Sequence, residues 1–139
     1  MPKPNQAAAP EPSLRLDHLP KDVADAILAR ETWLRKARPS QIPPADDQWE
    51  TLIWLAGRFF GKTLSLSEAL WWEAYRIPGL LVHLLAPTIS DVRRVSFEGQ
   101  SGLLACTPRS LIASYNRSLH ELYFKNGSKI TGFSMTEEA

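Results

Sequence analysis

Residues 52–63, Leu-Ile-Trp-Leu-Ala-Gly-Arg-Phe-Phe-Gly-Lys-Thr, constrain this chain more than any other stretch. An apolar run of strand length is followed by a tight loop with two glycines, and a lysine–threonine pair then opens a helical pattern. Backbone N–H groups at a helix N-terminus point at an anion, and the helix dipole favours negative charge there. The order therefore reads as a phosphate-binding loop, with Lys62 reaching the β- and γ-phosphates and the Thr63 hydroxyl ligating Mg²⁺. The spacing departs from G-x-x-x-x-G-K-[ST] at one place, because Ala56 stands five residues before Gly61. The Gly-Lys-Thr tripeptide is common by chance, so the flanking strand and helix carry the signal.

The surrounding sequence fits one modest domain. The chain has 139 residues and a formal net charge of +1, so its overall charge makes no case for nucleic acid or an anionic membrane. The single cysteine, Cys106, excludes an internal disulfide and fits a reducing cytosol. No apolar run approaches the roughly 18 residues that span a bilayer, and the N-terminus lacks a signal peptide's apolar core. Trp49, Trp54, Trp71 and Trp72 cluster around the loop and the helix after it, and such rings need large surfaces to bury them.

Residues 1–20, rich in Pro and Ala, are expected to form a mobile, disordered N-terminal arm. Residues 21–37 predict a helix with Val23, Ile27, Arg30 and Leu34 on one face and Ala26 and Trp33 beside them. Pro20 suits its start and Pro39 its end. With the proline-stiffened connector that follows, it makes a unit over residues 21–48. Residues 49–139 form the main domain. Asp46 and Asp47 lead into a strand at residues 51–56, apolar enough to be covered on both faces. A helix over residues 61–76 carries two apolar stripes, Leu66, Leu70, Ala74 and Ile77 on one, and Leu64, Trp71 and Tyr75 on the other. This pattern predicts a helix wedged between layers. Residues 80–86 predict a second buried strand, parallel to the first in a right-handed unit. Thr88 and Asp91 have capping-box spacing at the head of a short helix ending near Gly99. Residues 119–133 predict a hairpin whose two-residue Asn126-Gly127 turn pairs Tyr123 with Ile130 and Leu122 with Thr131.

These residues resemble the N-terminal ATPase portion of the terminase large subunit of tailed bacteriophages, including prophage and gene transfer agent relatives. Four stretches carry the likeness. Residues 33–44 resemble the family's lead-in to its ATPase core, and residues 54–63 its Walker A loop. Residues 86–105 match most specifically, and residues 126–134 resemble the hairpin before the Walker B strand. The resemblance implies an α/β fold, a partial P-loop NTPase of the ASCE type with an N-terminal helix and a C-terminal β-hairpin, truncated before the Walker B strand. It implies that Gly57, Arg58, Gly61, Lys62 and Thr63 bind ATP, that Thr63 holds Mg²⁺, and that Gln41 reads the adenine edge. It further implies a bacterial cytoplasm, no membrane, and, in the intact family, double-stranded DNA, the terminase small subunit and the portal protein as partners. Two substitutions depart from the family: Phe59 replaces a usual glycine, and Leu64 a usual basic residue.

No catalytic set is complete. Phosphoryl transfer needs a metal held from two sides and a residue that positions the attacking water. The expected function is therefore the nucleotide-binding segment of a DNA-packaging ATPase, inactive alone. The alternative is a non-enzymatic prophage remnant or a module that binds a nucleotide or partner without hydrolysis; a different phosphate-loop enzyme, such as a small kinase, ranks third. The remaining candidates have plainer readings. His83 is expected as a core histidine, His18 and His120 lack metal-ligand spacing, and Cys106 reads as a small buried hydrophobe. Arg93 and Arg94 read as a solvated face, and Asp91, Glu98 and Glu121 as capping or surface residues. A lone strand-helix-strand unit with a hairpin leaves an open sheet edge and uncovered apolar surface, so marginal stability or aggregation is expected.

Overall fold

The computed structural model describes residues 15–45 and 48–136. Most of the expected arm, Asp46, Asp47 and residues 137–139 lie outside the described residues. Helix α1 spans Lys21–Lys36, with Pro20 as its N-cap, Asp22 in its first turn and Arg35 and Lys36 in its last. These charges complement the helix dipole. Its buried residues are Ala26 and Trp33, with Ala29 packed partly against the core. Leu34, expected on that face, is exposed instead. Asp25 Oδ2 accepts from Lys21 Nζ at 2.8 Å and from the Ser110 hydroxyl at 2.6 Å, which ties α1 to the turn before the second strand. These bonds, Lys21 first, hold the Asp25 carboxyl below its ordinary value.

Helix α2 spans Lys62–Arg76. Trp71 and Ala74 are fully buried, and Trp71 meets Trp72 edge-on at 5.8 Å between ring centroids. Of the two predicted stripes, Leu66 and Ile77 end exposed. The chain's second apolar layer does not form, so one side of α2 faces solvent along part of its length. The helix's last carbonyls, which have no intrahelical donor, are met by a distant turn. Asn126 Nδ2 donates to the carbonyls of Ala74 and Tyr75 at 2.8 and 2.9 Å, and the Ser128 hydroxyl donates to that of Ile77 at 2.9 Å.

Four strands form a mixed sheet: β1 (Leu81–Ala86), β2 (Ile112–Asn116), β3 (Glu121–Phe124) and β4 (Lys129–Ser134), in the order β1-β4-β3-β2. β1 runs parallel to β4, and the other neighbours are antiparallel. Successive side chains alternate faces. One face therefore sends Leu84, Ala86, Leu122, Phe124 and Ile130 into the core, while Leu81, His83, Leu85 and Phe133 on the other are exposed. The architecture is mixed α/β, with four helices and one four-stranded sheet among the described residues.

Several expectations are corrected here. Residues 51–56 are not a strand of the sheet: the run is extended but unpaired, with Ile53 70% and Leu55 92% exposed. Side chains reaching the connector hold it, not a hydrogen-bonded ladder. Trp54 Nε1 donates to the Ser40 carbonyl at 3.0 Å and Trp49 Nε1 to that of Pro44 at 3.2 Å. The predicted parallel strand-helix-strand unit is consequently absent, and β1, expected as a buried strand beside residues 51–56, is an edge strand paired with β4. His83 is no core histidine; it lies on the exposed face against the Phe133 ring, 5.1 Å between centroids.

The hairpin forms around the predicted turn but in another register. Leu122 pairs with Ile130 and Tyr123 with Lys129. Lys125 joins Asn126 and Gly127 as a third loop residue: Gly127, at φ +88°, has its N–H on the Phe124 carbonyl at 3.1 Å, and Phe124 N–H is on that of Ser128 at 2.9 Å. This is a type I turn followed by a left-handed glycine bulge. A one-residue slip exchanges the faces of a strand, and the observed register puts Leu122 and Ile130 together in the core.

Between β1 and β2, Thr88 caps the short helix α3 (Ile89–Asp91), its hydroxyl oxygen accepting from Asp91 N–H at 3.1 Å, as the spacing predicts. The chain then widens into a π-helix over Val92–Phe97, with Glu98 N–H on the Arg93 carbonyl five residues back. Helix α4 (Leu103–Cys106) follows. Burial pushes the half-buried Cys106 thiol up to about 12, aided by the neighbouring Glu68 carboxyl. That suits an inert packing residue. No described helix is long and apolar enough to cross a membrane.

Candidate functional site

The loop before α2 turns on two left-handed residues, Phe59 at φ +64° and Gly61 at φ +86°. Gly61 is the N-cap. The first helical bond runs from Ser65 N–H to the Gly61 carbonyl at 2.9 Å, so the amides of Lys62, Thr63 and Leu64 have no intrahelical acceptor. Lys62 folds back over the loop, and its Nζ donates to the Ala56 carbonyl at 2.7 Å. The ammonium thus closes the loop from Ala56 to the first residue of α2.

The connector braces this loop from behind. Gln41 is buried, and its amide is used at both ends: Nε2 donates to the Phe60 carbonyl at 2.8 Å and Oε1 accepts from Arg38 N–H at 2.9 Å. Arg38 Nη2 reaches the same Phe60 carbonyl at 2.6 Å, and its guanidinium lies over the Phe60 ring at 5.1 Å. A Cβ on Gly61 would stand 2.9 Å from Gln41 Nε2, so this glycine is needed for space as well as for its φ. Sequence reasoning did not single out Arg38 as a brace. An arginine and a glutamine three residues apart, ahead of a proline-rich connector, carry no signal for such a contact.

Two cavities flank the start of α2. A cleft of about 300 Å³ is lined by Lys62, Thr63, Ser67, Ser96, Trp54 and Leu84. On the other side of the helix, a groove of about 810 Å³ runs between α1, α2 and α4, past Gln41, Leu64, Glu68 and Thr107. Of the predicted site residues, Lys62 and Thr63 share the cleft, Gln41 lies in the groove, and Gly57 and Arg58 are exposed on the loop. Among the described residues no Asp or Glu lines the cleft, and no group of three or more His, Cys, Asp or Glu side chains is placed to hold a metal. A Mg²⁺ ion here would have the Thr63 hydroxyl as its protein ligand and would come with phosphate oxygens and water.

Phe59 is 99% exposed in a left-handed conformation that costs a non-glycine residue about 1–2 kcal/mol. Phe59→Gly should therefore raise the unfolding free energy by up to ~1 kcal/mol, read as a later urea midpoint at unchanged slope. An earlier midpoint would show that the phenyl ring contributes to folding. No family model matches the chain, and neither a curated protein nor a solved structure does.

Proposed function

We propose that this chain binds the phosphates of a nucleoside triphosphate, ATP with Mg²⁺, across the start of α2, as a segment of the phosphate-loop NTPase type. The observation that carries the reading is the loop itself: a left-handed Gly61 cap, three amides without helical acceptors, and Lys62 arched back onto the Ala56 carbonyl. A phosphate oxygen is a better acceptor for that ammonium than a neutral carbonyl, because charge-assisted hydrogen bonds are about twice as strong. The resemblance of residues 33–44, 54–63, 86–105 and 126–134 to the phage terminase large subunit supports DNA packaging as the parent activity. On that reading the partners are double-stranded DNA, the small subunit and the portal protein, in a bacterial cytoplasm. The unpaired run at residues 51–57 counts against a complete NTPase sheet, so the proposal rests on the loop and helix alone.

A second reading is binding without hydrolysis: the described residues that line the cleft with Thr63 include no carboxylate. Titration calorimetry with MgATP on the wild type and Lys62→Ala tests the site. Loss of this charged contact should weaken binding about 100-fold or more. Equal, negligible heats from both proteins would remove the nucleotide site. Hydrolysis by the purified chain would exclude the binding-only reading.

A further inference from the structure

On the resemblance to the terminase subunit, Gln41 is the adenine reader; the geometry around it fits a different role. Both ends of its amide are on backbone. Nε2 donates to the Phe60 carbonyl at 2.8 Å, and Oε1 accepts from Arg38 N–H at 2.9 Å. The residue is only 7% exposed. The space beside Nε2 is closed as well, since even a Cβ on Gly61 would come within 2.9 Å of it. A base edge that took over either bond would leave a backbone group without its partner, which is costly. Gln41 also lies on the other side of α2 from the phosphate end of the site. It lines the groove, whereas Lys62 and Thr63 line the cleft, and among the described residues none lines both.

The cleft offers a base something different in kind. Its polar side chains besides Lys62 are the hydroxyls of Thr63, Ser67 and Ser96, and among the described residues no amide or carboxylate side chain lines it. A hydroxyl both donates and accepts, and its hydrogen rotates to suit the partner. It therefore meets the amino edge of adenine or cytosine and the carbonyl edge of guanine equally well. A carboxylate, which only accepts, would tell them apart. Trp54 lines the same cleft, held by its indole N–H on the Ser40 carbonyl at 3.0 Å. Stacking on an aromatic ring tolerates every base, because every base has a π-face.

Resting on the nucleotide reading above, we infer that the site takes nucleoside triphosphates as a class, gripping the phosphate chain and leaving the base unread, with Gln41 as a positioning residue for the loop. Lys62 and the amides at the start of α2 take the phosphates, and the base lies beside Trp54 and the cleft hydroxyls. Gln41 acts through the Phe60 carbonyl. By fixing that oxygen it sets the peptide that enters Gly61, and with it the direction of the amides that follow. Its loss is felt at the phosphates, whatever base they carry.

The test measures the affinity of the full chain for MgATP, MgGTP, MgCTP and magnesium triphosphate, the last without sugar or base, by titration calorimetry. The wild type should bind the three nucleotides within about threefold of one another, below the tenfold or so that one well-placed base contact is worth. Gln41→Ala should weaken all four probes by one common factor, about threefold to tenfold. A wild-type preference for ATP over GTP of about tenfold or more would overturn the inference while the phosphate site stands. A Gln41→Ala loss confined to ATP would do the same. The wild-type comparison needs no variant, so it decides the base question even where Gln41→Ala does not fold. A residue that only stabilised the fold would lower the urea midpoint and leave the affinities of the folded chain unchanged; that result would remove the positioning role. Binding that survives Lys62→Ala, or no binding by the wild type, would remove the phosphate site and the inference with it.

Discussion

Trp71→Ala should lower the unfolding free energy by about 3–5 kcal/mol, the range for removing a large aromatic from a packed interior. Trp71 is fully buried in a core cluster that also holds residues of α1, the sheet and the π-helix. Its indole N–H is also the donor that occupies half of the Glu68 carboxylate, so truncation leaves both a cavity and a carboxylate with one partner fewer. In a chain this small such a loss is a large share of the total stability, about 5–15 kcal/mol for typical domains. Urea unfolding followed by far-ultraviolet circular dichroism gives the number, with Trp49→Phe, 41% exposed, as the control. A change under ~1 kcal/mol would mean that the core is not built around this ring.

Gly132→Ala should be the most damaging single-methyl change, at about 1–3 kcal/mol or more. Gly132 sits mid-strand in β4, where glycine is ordinarily a weakness. The π-helix explains it. A Cβ at this position would stand 2.3 Å from Val92 Cγ1 and 2.8 Å from Phe97 Cε2. Both residues are fully buried, and a β-branched valine has little rotamer freedom to withdraw. The widened helical turn therefore presses its side chains against bare backbone. Adding Val92→Ala should recover part of the loss, and a double-mutant cycle on the two positions measures how much. Simple additivity would show that the two sites do not meet.

What the sequence disclosed depended on whether local chemistry had one solution. α1 was legible because Pro20, Asp22 and the closing Arg35-Lys36 pair mark its ends. The Thr88 cap was legible because a hydroxyl three residues before a carboxylate closes one kind of turn. The start of α2 was legible from Gly-Lys-Thr, whose glycine caps the helix in the left-handed conformation. Residues 51–56 misled because an apolar extended run looks the same whether or not a partner strand lies beside it. Pairing is a property of the neighbour. The strand β2, Ile-Ala-Ser-Tyr-Asn, was not anticipated, since two of its five residues are exposed small side chains and nothing local favours pairing.

The hairpin slipped by one residue for a related reason. Asn-Gly fits the centre of a two-residue turn, and it also fits the last two positions of a three-residue loop, so only the burial of Leu122 and Ile130 decides between them. The π-helix was read as an ordinary helix because one wide turn leaves no mark in the residue pattern. At the candidate site, Lys62 and Thr63, expected from spacing, line one cleft. Arg38 was not singled out, because it acts through a contact made far along the chain, on the Phe60 carbonyl.

The Phe60 carbonyl has a mechanical consequence. It is grasped by Arg38 and Gln41, which follow directly on the end of α1, and it belongs to the peptide that leads into Gly61 and α2. Any displacement of that oxygen pulls on both helices together. The connector is thus a short linkage rod between them, and a load applied at α1 would be felt at the loop through the Phe60 carbonyl.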